Sequence, residues 1–262
     1  MISRWREAFR SARLWFGFVQ VAGYRYSTPY GNPPRPETDH SRAAGDLRQA
    51  QLAALRLPNV GFTTTVDTGD WTNIHPPDKQ WPSKRLSNQA LAQIYGIGAT
   101  AHRFPLFAGA VLAPQAADGT LTATVAIRLQ GGQPASLTTV APASATQSTT
   151  LNKSTSVPRN RCITDNAGFG ITFPEDCGYP SIEGFLANGT AVSLNATAAI
   201  GADKSSIVLT VPRAPIGFNA TATSYGRASW PMTVFFDAAG DKLPVIPWFS
   251  NFSCTDPSAP PL

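Results

Sequence analysis

The stretch V-D-T-G-D-W-T-N-I-H-P-P-D-K-Q places Asp67, Asp70 and His75 within nine residues of one another. A histidine titrates near neutrality. It can take a proton from a hydroxyl and pass it to a leaving group when a carboxylate holds the ring in one tautomer. Asp67 or Asp70 can supply that carboxylate, and the spacing leaves both open. By spacing alone the pattern also fits a histidine on a surface loop. His40 and His102 lie in no comparable context and read as surface residues. None of the three histidines stands at ligand spacing from the three cysteines, so no zinc site and no cofactor is expected.

The elements that must position these residues follow from hydrophobic periodicity. Residues 1–15 set Trp5, Phe9 and Ala12 at helical spacing. The run GFVQVAGY (17–24) suits a buried parallel strand, and a Pro/Tyr-rich loop fills 25–41. A helix is expected from about Arg42 to Leu55, and a β-branched, aromatic strand over NVGFTTTVD (59–67). The Asp/His loop thus leaves the carboxyl end of a strand, where open α/β sheets bind their ligands. A further helix is expected over 83–96, with Ser83 as N-cap, Leu86, Ala90, Leu91 and Ile94 on one face, and Gly96 as stop. Helix, strand, helix, strand, helix is half of a doubly wound, three-layer α/β domain. From about residue 103 short alternating segments such as TLTATVAIRLQ and SSIVLTVP, separated by turns, predict an antiparallel β-sandwich. The bounds are then 1–100 for the α/β part and 101–262 for the sandwich.

The chain has 262 residues, 42% of them hydrophobic and 14% charged, which suffices for a packed core and excludes general disorder. Its net charge of +5 lies entirely in residues 1–100, with 12 Lys/Arg against 7 Asp/Glu. The cations are scattered and no nucleic-acid signature accompanies them, so neither a nucleic-acid nor a membrane partner is expected. Cys162 and Cys177 flank a glycine-rich loop that a disulfide could close, leaving Cys254 over. Five N-x-[ST] sequons, at Asn152, Asn188, Asn195, Asn219 and Asn251, point to a secreted or lysosomal glycoprotein. The opening segment, with four arginines among its first eighteen residues, is no secretion signal and looks more like a transit peptide. The two compartment signals agree if a secretion signal lies upstream of Met1.

The block DTGDWTNIHPPDKQWPSKRLSNQALAQIYG resembles the final block of the sialate O-acetylesterase family, within the SGNH-type hydrolases. There an Asp-rich strand end leads through an IHP-x-x-K-Q turn to an R-L helix ending in Y-G. Asp67, Gly69, Asp70, Ile74, His75, Pro76, Lys79, Gln80, Arg85, Leu86, Tyr95 and Gly96 match. The WRE at Trp5, the FVQ ending at Gln20, the R-x-x-Q from Arg48, the LPN from Leu57, TSYGRASWP (223–231) and KLPVIPWF (242–249) extend the likeness over nearly the whole chain.

The resemblance implies a partial SGNH/flavodoxin-like α/β domain followed by the β-sandwich. It also implies an esterase that removes O-acetyl groups from sialic acids or other acetylated sugars. In the family a serine attacks the acetyl carbonyl and a histidine takes its proton, and His75 matches that base. Gln20, ending a strand, and Trp71, beside the histidine, are candidates to line the substrate site, while Trp81 serves equally as a packing anchor. Arg85 is expected to pair with a carboxylate rather than with substrate. Two departures stand out. Thr72 replaces the aspartate that SGNH hydrolases carry three residues before the histidine, and no GQSN-like nucleophile block or Asn-bearing oxyanion block occurs. The expectation is therefore the C-terminal part of an acetylesterase, inactive alone and completed by the N-terminal half of its hydrolase domain. A separate serine-bearing subunit or a non-catalytic, carbohydrate-binding relative are the alternatives.

Overall fold

The computed structural model describes residues 1–24, 40–70, 73–98, 102–140, 178–229, 231 and 233–252. Trp71, Asn152 and the cysteines Cys162, Cys177 and Cys254 lie outside the described residues, and the expected Cys162–Cys177 pairing with them. The described chain is mostly β-structure with few helices. Among the described residues no helix is long and apolar enough to cross a membrane.

Helix α1 (Ile2–Ala8) leads to β1 (Phe16–Val19), which pairs in parallel with β2 (Val60–Thr63), Phe16 opposite Val60. Between the strands run α2 (His40–Leu52) and a 3-10 turn, Ala53–Arg56. Both strands are shorter than their apolar runs in the sequence, because Gln20 and Thr64 already begin the loops that carry polar contacts. Gly17 and Gly61 leave room for the indole of Trp15, which a Cβ at either position would strike. Trp15 Nε1 in turn donates to Gln93 Oε1 at 2.8 Å, tying the sheet to α3 (Gln80–Tyr95).

Helix α3 departs from its expected form at both its start and its buried face. It begins at Gln80, not after Ser83. Asp78 Oδ1 accepts the Gln80 N–H at 3.2 Å, and Pro82 sits in the first turn, where a missing N–H costs nothing. Its buried residues are Pro82, Arg85, Asn88 and Gln89, whereas Leu91 and Ile94 are exposed. The inward face is polar because it meets backbone groups that need partners: Gln89 Oε1 accepts the Phe62 N–H at 2.7 Å, and Arg85 Nη1 donates to Thr64 O at 3.1 Å. Gly96 does end the helix, in the left-handed region at φ 67°.

The remaining strands form two four-stranded antiparallel sheets. One has the order β3 (Pro105–Leu112), β4 (Leu121–Leu129), β9 (Ser206–Val211), β8 (Thr197–Ile200). The other runs β12 (Trp248–Asn251), β10 (Asn219–Tyr225), β6 (Ser181–Phe185), β7 (Ala191–Asn195). A short pair, β5 (Leu137–Thr138) with β11 (Phe236–Asp237), lies beside them. Alternate residues of β4 and β9 point inward, and Val125, Ile127, Ile207 and Leu209 pack in one core with Ile182, Tyr225 and Trp248 of the facing sheet. Burial pushes the Tyr225 phenol up to about 12, and its oxygen accepts the Val234 N–H at 2.9 Å. The four described sequon asparagines, Asn188, Asn195, Asn219 and Asn251, are all exposed on this second sheet or its turn.

The expected boundary at residue 100 is bridged by shared packing. Phe62 of β2 packs with Phe104, Leu243 and Ile246 in one cluster, its ring 4.9 Å from that of Phe104. Arg48 of α2 forms a second bridge. It is 1% exposed and donates to Val21 O and Ala228 O at 2.8 Å, and to Ala22 O and Ser229 O at 3.0 Å. Four carbonyls from two distant segments thus share one guanidinium. Arg48→Met is expected to lower stability by about 3–5 kcal/mol, since the buried carbonyls lose their donors together. Urea unfolding measures this, and a loss below about 1 kcal/mol would mean the carbonyls find other partners.

Candidate active site

Every residue from Val60 through Asp70 is buried, including the polar run after β2. Loops normally lie on the surface because their backbone needs water, so a buried loop must find internal partners. Here they come from its own side chains and from α3. Thr65 Oγ1 donates to Gln20 O at 3.1 Å, and the Thr68 N–H donates to Thr65 O at 3.1 Å. Gly69 lies against the backbone of Gly23 so closely that a Cβ there would collide with it.

Asp67 and Arg85 carry the strongest of these contacts. Arg85 Nη1 donates to Asp67 Oδ1 at 2.7 Å and Nη2 to Oδ2 at 2.6 Å, with the side chains 0% and 2% exposed. Both carboxylate oxygens of Asp67 are therefore engaged by a guanidinium, as expected for Arg85 from the sequence. That bidentate pairing sets Asp67 to holding the loop and leaves Asp70 as the carboxylate closer along the chain to the histidine.

From Asp70 the chain is fixed by two side chain to backbone bonds. Asp70 Oδ1 accepts the Asn73 N–H at 3.2 Å, and Asn73 Oδ1 accepts the His75 N–H at 2.9 Å. Turns of this kind are what Asp and Asn favour, and they set the backbone at His75. The imidazole itself is exposed and has no hydrogen bond among the described residues. Its neighbours Ile74 and Pro76 both line a cleft, so His75 stands at the rim.

The cleft has a volume of about 380 Å³, within the roughly 300–1,000 Å³ of small-molecule sites. Val19, Gln20 and Ala22 from the end of β1 and Thr65 and Thr68 from the buried loop form one side. The turn before α3 and its first residues, including Lys79, Pro82 and Leu86, form the other. It opens at the carboxyl ends of two parallel strands, the place where α/β sheets bind ligands. Gln20 is among its lining residues and is 1% exposed. Thr68 was not singled out from the sequence, since one threonine in a Thr-rich run carries no signal of its own. Trp81 lies in the first turn of α3 beneath Lys84, whose Nζ is 5.5 Å from the ring centroid. Among the described residues no group of three or more metal-binding side chains comes together.

No protein-family model matches this chain, and no curated protein does either. Among solved structures, a carbohydrate acetylesterase from Xanthomonas citri is similar, with a TM-score of 0.60 and 21% identity over 95% of this chain. The match covers 44% of that protein, so the chain spans less than half its length. At this identity the likeness is one of fold.

The two aspartates are separable by mutation. Asp67→Asn leaves Arg85 buried without its counter-charge and is expected to cost about 3–5 kcal/mol in urea unfolding. Asp70→Asn keeps an oxygen for the Asn73 N–H and is expected to cost under about 1.5 kcal/mol. Equal losses would contradict the division of roles.

Proposed function

We propose that this chain is the histidine-bearing part of an esterase that removes O-acetyl groups from sialic acid or other acetylated sugars. It would be a partial SGNH-type α/β unit over residues 1–100, followed by a β-sandwich over 101–262. The observation that carries this reading is the placement of His75 at the rim of a cleft at the carboxyl ends of β1 and β2, on a backbone set by Asp70 and Asn73. The fold likeness to a carbohydrate acetylesterase supports it.

In this mechanism the imidazole of His75 takes the proton of a serine hydroxyl as the serine oxygen bonds to the acetyl carbonyl carbon. The protonated ring then gives its proton to the departing sugar oxygen, leaving an acetyl-serine. Water, deprotonated by the same ring, releases acetate and restores the serine. Asp70 is the carboxylate assigned to steady the ring once the serine-bearing half is in place. No G-D-S, G-Q-S or G-x-S-x-G sequence occurs among the 262 residues, so the nucleophile is assigned to polypeptide beyond them, the serine-bearing half of the hydrolase domain. Exposure of Asn188, Asn195, Asn219 and Asn251 supports a glycoprotein, secreted or lysosomal.

A second reading, a carbohydrate-binding relative without catalysis, is favoured by the exposed imidazole that no described residue orients. Kinetics distinguish the two. The chain alone is expected to show no hydrolysis of p-nitrophenyl acetate above background. In a protein that joins this chain to a serine-bearing hydrolase half, His75→Ala is expected to lower kcat by about 10²–10⁴-fold. Full activity after that substitution would exclude His75 as the base. His75-dependent turnover by the chain alone would place the nucleophile within it.

A further inference from the structure

The two parallel strands differ at their outer edges. Phe16 and Gln20 give their N–H groups to Asn59 O at 3.0 Å and Thr63 O at 2.8 Å, so the even-numbered residues of β1 face β2. Alternation along the strand turns the N–H and C=O of Gly17 and the N–H of Val19 the other way. Among the described residues β1 has no second strand beside it, and nothing pairs with these three groups. Gln51 covers only the far end of the edge, where Oε1 accepts the Val21 N–H at 3.0 Å and Nε2 reaches Val19 O at 3.5 Å.

The outer edge of β2 is closed, because α3 engages its outward groups: Gln89 takes the Phe62 N–H and Arg85 the Thr64 carbonyl. Burial follows the same division. All four residues of β2 are buried, whereas Phe16, Gly17 and Phe18 of β1 are half-buried and Val19 is 47% exposed. At the start of β1 the Phe16 ring lies 6.3 Å from that of Trp5, which lies 6.0 Å from that of Phe9, and both partners are exposed. Strands of parallel sheets are normally covered on both faces, and two strands alone make a marginal sheet. An open edge with an apolar margin is a surface that accepts a further strand.

Polarity selects the occupant. A second copy of this chain, related by a twofold axis, would lie antiparallel and carry its own cleft to the opposite end. A strand parallel to β1 instead ends beside Val19 and Gln20, on the cleft whose rim carries His75. That is where a nucleophile for the histidine must arrive. The similar acetylesterase has polypeptide to spare for such a strand, since the match takes in 44% of it. We infer that the free edge of β1, at Gly17 and Val19, receives a parallel strand from the serine-bearing half of the hydrolase domain. The identity of this partner rests on the esterase reading. The two N–H groups donate to carbonyls of the added strand, and Gly17 O accepts one of its N–H groups. Gln51 ends the pairing at Val21, so the partner turns off at the mouth of the cleft.

Residue-resolved amide hydrogen exchange tests this in the chain alone and in the joined protein of the kinetic test. The hydrolase half is attached at either terminus, and protection of β4 and β9 identifies the fusion that folds. In the chain alone Gly17 and Val19 are expected to exchange about 100-fold faster than Phe18 and Gln20, which bond to β2. In the joined protein both are expected to slow by about 100-fold. Protection of Gly17 and Val19 in the chain alone would overturn the inference. If it survives dilution the chain closes its own edge, and if dilution removes it a second copy does. Unchanged exchange at both residues in the joined protein would overturn it as well. The esterase reading fails separately: His75-dependent hydrolysis without slowing at Gly17 and Val19 leaves that reading standing and removes the docking edge, while slowing without hydrolysis does the reverse.

Discussion

A buried carboxylate and a buried guanidinium, Asp67 and Arg85, joined by bonds of 2.7 and 2.6 Å, hold the loop on which the candidate chemistry depends. Taking two charges out of water offsets most of what their attraction returns, so such a pair adds little net stability. Its consequence is positional. Once both groups are buried, neither tolerates separation, and the loop leaving β2 cannot move away from α3. The same guanidinium reaches Thr64 O, the first carbonyl beyond the strand. Everything downstream, from the turn at Asp70 to the histidine at the rim, inherits its position from this clamp.

Arg48 does similar work on the other side of the cleft. Its four carbonyl partners at Val21, Ala22, Ala228 and Ser229 join the end of β1 to a distant segment in the second half of the chain. Gln20, one residue before that junction, spends its amide nitrogen on Arg48 O. The β-sandwich is thus more than an appendage. It supplies Phe104, Leu243 and Ile246 to the core under β2 and the carbonyls that Arg48 gathers. A cleft floor made of rigid, fully packed backbone favours preorganised binding.

The parts of this architecture with a strict period were legible in the sequence. The alternation of β4 and β9 marks their inward residues, and Gly96 marks the end of α3. The inward face of α3 was not legible. Hydrophobic spacing selects Leu86, Ala90, Leu91 and Ile94, yet the helix turns Arg85 and Gln89 inward, because the sheet edge beside it offers unpaired backbone rather than apolar surface. What Asp67 bonds to was equally closed to spacing arguments, because its partner, Arg85, lies eighteen positions away and engages both of its oxygens.

The role of the clamp is tested most directly by amide hydrogen exchange on Arg85→Met compared with the unaltered chain. Without the guanidinium, residues 64–70 are expected to lose more protection than the amides of β4 and β9, whose loss is limited to the fall in global stability. Unchanged protection over 64–70 would contradict the claim that the ion pair holds the site, and a uniform loss across the chain would show that it serves global stability instead.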